Sequence, residues 1–151
     1  MRKSNIHTSG NRRKINPNWF TGHTFMKDIS GTIHSKEQDI YHVYFKNGSK
    51  TKLHTHNGSQ VLIVIQGNGK LEFFKKYGNK RSDFKIKKTE SVPLNPGDIA
   101  YIPKNVSHTH GASSKKTFSH IAINILPSKK TAFKTIWYES DFAKLATTVI
   151  R

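Results

Sequence analysis

Beyond Pro17 the apolar residues come in short runs of β-branched and aromatic side chains, separated by Gly, Asn, Pro and Ser. Residues 40–45 alternate, with Tyr41, Val43 and Phe45 on one side and His42 and Tyr44 on the other. That period of two predicts a strand with one buried face. Asn47-Gly48 follows as a hairpin turn signal. Residues 61–65 form a continuous apolar run and predict a strand buried on both faces, ended by Gln66-Gly67-Asn68-Gly69. Residues 71–74 and 84–88 read as strands around Tyr77-Gly78-Asn79. Residues 99–102 and 118–125 read as strands after the turn Asn95-Pro96-Gly97-Asp98. Residues 139–147 alone read as a helix, with Ser140 as its cap. Short strands at intervals of roughly 8–12 residues predict an all-β barrel or sandwich. The pattern leaves jelly roll, lipocalin and immunoglobulin-like sandwich open.

The 151 residues suit one domain with tails. The absence of cysteine excludes disulfides, thiolate zinc sites, iron–sulfur clusters and cysteine nucleophiles. No apolar run approaches the ~20 residues of a membrane span. The net charge of +17 suggests anionic partners, but the lysines are scattered along the chain, as on a solvated surface. Residues 1–14 are polar and basic and lack the apolar centre of a secretory signal. They read as a flexible arm, and the protein as cytoplasmic. Lys75, Lys76, Lys80, Arg81, Lys85, Lys87 and Lys88 mark a basic hairpin. Its alternation with Phe84 and Ile86 fits a strand with one face in water, with no aromatic platform for nucleic acid.

Five of the nine histidines fall in three places: His54 and His56, His108 and His110, and His120. Alternation puts each pair on one face of its strand, and Gln60 can join the first pair after a turn at Asn57-Gly58. Imidazoles projecting together from neighbouring strands make a divalent-metal site. His7, His23, His34 and His42 lie outside this pattern and read as surface or loop residues.

These residues carry a family resemblance. Residues 48–67 read G-x5-H-x-H-x3-Q-x6-G, similar to the first motif of the cupin superfamily. Residues 97–108 read G-x5-P-x-N-x2-H, similar to the second. Asn105 stands where Gly is usual, a mild departure because Asn tolerates a left-handed backbone. Gln60 stands where Glu is usual, a departure that matters more. From about Asn18 to Asp141 the chain resembles small single-domain cupins found beside carboxymuconolactone decarboxylases, a group that includes bacterial cupin hydroxynitrile lyases. The carrying segments are Asn18-Trp19-Phe20-Thr21-Gly22, His54-Thr55-His56, Pro96-Gly97-Asp98, His108-Thr109-His110-Gly111-Ala112 and Ser119-His120-Ile121-Ala122-Ile123. Thr109 departs from the Trp common there.

The resemblance implies an all-β double-stranded β-helix, or jelly-roll barrel, to which the residue pattern adds a short C-terminal helix. It implies a single cupin domain at 17–151 and leaves unexplained the basic flexible arm, residues 1–16, which is read from composition. It implies one divalent metal, manganese first and iron, zinc, nickel or cobalt as alternatives, on His54, His56, Gln60 and His108. His120, His110 and Thr51 are then the candidate catalytic residues, with His120 as general base and Thr51 touching substrate. Tyr41 and Val43 shape the cavity. Three neutral imidazoles and a neutral amide leave a divalent ion its full charge, where Glu would reduce it. That favours Lewis-acid chemistry over redox work. The expected function is lyase- or decarboxylase-type chemistry on a small oxygenated molecule, an anionic one suiting the basic surface, by a homodimer with no membrane partner and with nucleic acid the less favoured partner. The rivals are uronate-type sugar-acid processing, a dioxygenase and a non-catalytic ligand-binding cupin.

Overall fold

The computed structural model describes residues 1–149. Its strands are β1 (Arg12–Arg13), β2 (Thr24–Asp28), β3 (Gln38–Phe45), β4 (Leu53–His56), β5 (Gln60–Gly67), β6 (Gly69–Tyr77), β7 (Phe84–Leu94), β8 (Ile99–Ile102), β9 (Ser107–Ala112), β10 (Phe118–Ile125), β11 (Thr135–Ser140) and β12 (Leu145–Thr148). They form an open six-stranded sheet in the order β1-β2-β3-β10-β5-β8 and a closed set, β11-β12-β7-β6-β9-β4. All recorded strand pairings are antiparallel. The all-β jelly-roll expectation therefore holds.

The main core lies between the two sets of strands, and includes Val43, Phe45, Leu62, Val64, Leu71, Ile102 and Phe118. A second, smaller core joins Leu53, Phe74, Phe84, Ile86, Tyr138 and Ala146. Lys85 and Lys87 are exposed between buried Phe84 and Ile86, as the hairpin pattern implies. Asn105 has φ 63°, the left-handed backbone expected there, and its N–H donates to the carbonyl of His56 at 2.7 Å. This ties the second motif to the first.

Three expectations are corrected. The C-terminal helix is absent: residues 139–147 belong to β11, a turn and β12, paired Glu139↔Thr147 and Ser140↔Ala146. Asp141 Oδ1 accepts from the backbone N–H groups of Ala143, Lys144 and Leu145, and Phe142 has φ 56°. A side chain that holds a turn beside a left-handed residue ends helical geometry locally. Among the described residues the one α-helix, α1, is Ser30–Ile33 near the N-terminus. Residues 61–65 are not buried on both faces: Leu62 and Val64 are buried, while Val61, Ile63 and Ile65 are half-buried. His42 is not a surface residue. It lies on β3 only 1% exposed, stacked on Tyr44 with Nδ1 2.9 Å from the Tyr44 hydroxyl.

The basic arm carries structure of its own. Arg12 and Arg13 pair with Lys27 and Met26 of β2. The Arg13 guanidinium forks onto both Asp39 oxygens at 3.1 and 2.7 Å and reaches Asp28 at 2.9 Å. Paired donors on a planar guanidinium match a carboxylate and fix its orientation.

Candidate metal centre

Two cross-strand rows converge on one cavity. On the closed set of strands, Trp137 of β11 pairs with His54 of β4, and His54 with His108 of β9. On the open sheet, Asp39 of β3 pairs with Asn124 of β10, and Asn124 with Gln60 of β5. Side chains directly opposite on neighbouring antiparallel strands lie within contact distance, so each row forms a continuous line. Gly58 sits between the rows. A Cβ there would meet the carbonyl oxygen of Ile125 at 2.2 Å, so only glycine lets the chain pass from His56 to Gln60 this tightly.

The cavity has a volume of about 390 Å³. Its wall includes Tyr41, Val43, Thr51, His54, His56, Gln60 and His110. Tyr41, Val43 and Thr51 thus all line this cavity. A larger apolar groove of about 710 Å³ lies elsewhere, along β7 and β8, and contains no histidine.

The imidazoles are packed together. Ring centres are 4.8 Å apart for His54 and His56, 4.1 Å for His54 and His108, and 5.2 Å for His56 and His108. One nitrogen from each of His54, His108 and His110 lies within 4.8 Å of the others, a group able to hold a metal ion. The structure thus brings His110 closer to the expected ligands than the family roles imply.

Hydrogen bonds specify which ring nitrogens are free. Nδ1 of His54 is 2.8 Å from the carbonyl of Lys52, and Nδ1 of His108 is 2.9 Å from that of Val106. A carbonyl only accepts, so both Nδ1 atoms carry the proton and both Nε2 atoms present a lone pair. Nδ1 of His56 meets Thr135 Oγ1 at 2.8 Å. Nε2 of His56, Nε2 of His108 and Oε1 of Gln60 are buried without a hydrogen-bond partner. Buried polar atoms normally find partners, so free atoms on His56 and Gln60 in the cavity wall and on His108, whose ring packs against His54 and His56, call for an electrophile between them. Trp137 stacks on His54 at 4.4 Å and on Trp19 at 5.1 Å, which restrains the ring further.

The electrostatics keep these rings neutral. Burial pushes His108 down to about 4 and, with the His108 ring nearby, His56 down to about 3. Burial and then the neighbouring imidazoles hold His54 and His110 well below the ordinary histidine value. Neutral imidazole is the form that ligates a metal. The residues therefore fit a divalent ion: free lone pairs on nitrogen and a free amide oxygen, all uncharged.

The expected general base needs revision. His120 is fully buried and does not line the cavity. Burial lowers it to about 3 and also lowers His110, so position and not basicity separates the two. Its Nε2 lies 3.2 Å from Nδ1 of His110, and His110 does line the cavity. His110 therefore stands between His120 and any bound molecule. Thr51 Oγ1 accepts the backbone N–H of His110 at 3.0 Å, which leaves the hydroxyl proton free.

Asp39, Asn124 and Arg13 also line this cavity, and sequence reasoning missed them. A signal existed for two of them. Asn124 shares the strand phase of His120, and Asp39 that of Tyr41 and Val43. Arg13 had no such signal, because only tertiary pairing brings it there.

The sequence profile of the Cupin family matches residues 38–143. A cupin-like protein of Thermotoga maritima is similar at 28% identity over 91% of this chain and 90% of its own, with a TM-score of 0.64. The polyketide cyclase RemF of Streptomyces resistomycificus shares the fold at 12% identity, over 83% of this chain and 79% of its own, TM-score 0.61. A predicted oxalate decarboxylase of Thermotoga maritima does so at 20% identity, over 79% and 95%, TM-score 0.56. No curated protein matches the chain.

Proposed function

Because this chain belongs to the cupin family, we propose that it is a metal-dependent enzyme of lyase or decarboxylase type acting on a small oxygenated molecule. One observation carries the reading. Nε2 of His56, Nε2 of His108 and Oε1 of Gln60 are buried and unpartnered beside the His54 ring. We assign His54, His56, Gln60 and His108 as ligands of one divalent ion, manganese first. His110 is the alternative third imidazole, since it lies in the same group. Its Nδ1 contact with His120 favours a different role.

The bound ion supplies Lewis-acid polarisation of a substrate oxygen. The chain supplies the rest. His110 faces the cavity and takes the proton from substrate, when Nδ1–H donates to His120 and Nε2 is free. In that tautomer His120 accepts through its Nε2. Thr51 is placed to donate its hydroxyl proton to a substrate oxygen. Trp19, Trp137 and Phe133 form an aromatic wall that shields the site from water. The all-neutral ligand set leaves the ion's charge undiminished, which supports non-redox chemistry and an anionic substrate.

The test is turnover of a panel of small hydroxy, keto and carboxylic acids by manganese-loaded protein. Replacement His110→Ala should keep the metal and reduce turnover by ~10²–10⁴-fold. His120→Ala should reduce it less. Loss of the metal with His110→Ala would make His110 a ligand and end the general-base assignment. Oxygen uptake by an iron-loaded sample, without turnover of the panel, would favour a dioxygenase.

A further inference from the structure

We propose that Asn124 and Asp39, backed by Arg13 of the N-terminal arm, are positioning residues that hold Gln60 with its carbonyl oxygen toward the histidines. The inference rests on the metal reading above. An amide side chain has two ends of nearly equal size, one a donor and one an acceptor. Only the oxygen end ligates a cation, so a glutamine ligand needs its orientation specified. The cavity specifies it from the far end of a cross-strand row.

The row starts with a group that has no choice. Arg13 holds Asp39 by both carboxylate oxygens, at 3.1 and 2.7 Å. An ionised carboxylate only accepts, so Asp39 Oδ2 takes a hydrogen bond from Asn124 Nδ2, at 3.4 Å. That turns the Asn124 carbonyl oxygen the other way, toward β5. Gln60 Nε2 donates to this oxygen at 2.7 Å. Its second proton goes to the Tyr41 hydroxyl at 3.1 Å. Both protons of the amide are now used, and Oε1 is left buried with no donor bonded to it, on a side chain close enough to act on the His56 ring. Tyr41 is held in turn: the Arg13 guanidinium lies 4.7 Å over its ring, and Asn124 Nδ2 reaches its hydroxyl at 3.3 Å. The row therefore demands a hydrogen-bond donor at position 60, which Gln supplies and an ionised Glu does not. Register places the row without adjustment, since Asp39, Asn124 and Gln60 are direct cross-strand partners.

The same geometry gives the basic arm a function. Arg13 reaches the row from β1, outside the region matched by the family profile. The arm is thus coupled to the ligand set through Asp39.

The experiment is calorimetric titration of the full-length, metal-stripped protein with manganese chloride. The variants are Gln60→Ala, Asn124→Ala, their double variant and Asp39→Asn. Loss of an outer partner of a ligand typically costs ~10–100-fold in metal affinity. Asn124→Ala should weaken manganese binding within that range. The double variant should bind no more weakly than Gln60→Ala, because Asn124 acts only through Gln60. Asp39→Asn, the milder change, lets Asn124 turn either way and should weaken binding by a smaller factor even if Asn124→Ala fails to fold. Additive losses in the double variant, or unchanged affinity in Asp39→Asn and Asn124→Ala, would overturn the inference. Unchanged affinity in Gln60→Ala would overturn it too, while leaving the histidine centre intact. A wild-type protein that takes up no manganese, iron, zinc, nickel or cobalt would instead overturn the metal reading itself.

Discussion

The histidine row on the closed strands and the amide row on the open sheet reach one cavity by the same cross-strand geometry, yet they differ in chemistry. His54 and His108 face each other across β4 and β9, as Gln60 and Asn124 do across β5 and β10. The histidines of the first row titrate, and burial keeps them neutral. The second ends in a neutral amide whose charge does not change with pH, anchored by the ion pair of Arg13 and Asp39. One row supplies lone pairs that acid can remove. The other supplies a fixed dipole that only a change in its hydrogen bonds can redirect. A site built from both can bind a cation strongly and still keep the cation's charge uncompensated.

The sharpest way to break that contrast is to remove one member from each row. His54→Ala should lower manganese affinity by more than ~100-fold, beyond the range expected for a partner that only supports a ligand. Gln60→Ala should lower it less. Titration calorimetry on both variants decides, and equal losses would mean that the amide row contributes as much as the imidazoles.

The second contrast is in acid. An imidazole in the unfolded chain takes up a proton below about pH 6.5. In the folded, metal-free chain His108 resists until about 4, and His56 and His120 until about 3. The unfolded state therefore binds more protons between these limits. Stability should be full above pH 6.5 and fall steadily toward pH 4, by about 3 kcal/mol for a group displaced as far as His108. Denaturant unfolding at a series of pH values measures this. A flat profile would mean that the rings are not buried as neutral groups.

A smaller effect separates charge from affinity. Gln60→Glu loses the hydrogen bonds to Asn124 and Tyr41 but gains a charged ligand oxygen, so it should retain metal and slow turnover by about tenfold, since an ionised carboxylate lowers the charge available to polarise substrate. An unchanged rate would sink the charge argument. The smallest effect is at the edge of the histidine row. Thr135→Val removes the hydroxyl that meets Nδ1 of His56, and metal affinity should fall by ~10-fold.

The histidine row was legible in the sequence because alternating imidazoles are rare and carry direction: His54 and His56 must share a face once 53–56 is a strand. The all-β class followed from short runs and turns such as Asn47-Gly48, where both residues do take positive φ. The C-terminal helix was misread because residues 139–147 carry no turn-forming Gly or Pro. The breaking is done by the Asp141 side chain and the left-handed Phe142. The burial of His42 was invisible for another reason. Its face of β3 is covered by contacts distant in sequence, and strand period alone assigns that face to water. The same limit hid Arg13, whose role depends on pairing with β2. His120 does pack against His110, but alternation gives a face and not a depth. It lies behind His110.

The most direct test of the central claim is elemental analysis of the purified chain beside a variant with His54 and His56 both replaced by Ala. About one divalent metal per chain is expected in the first and none in the second, with the β-sheet circular dichroism of the two alike. No metal in the wild-type protein, even after reconstitution with manganese, iron and zinc, would contradict it.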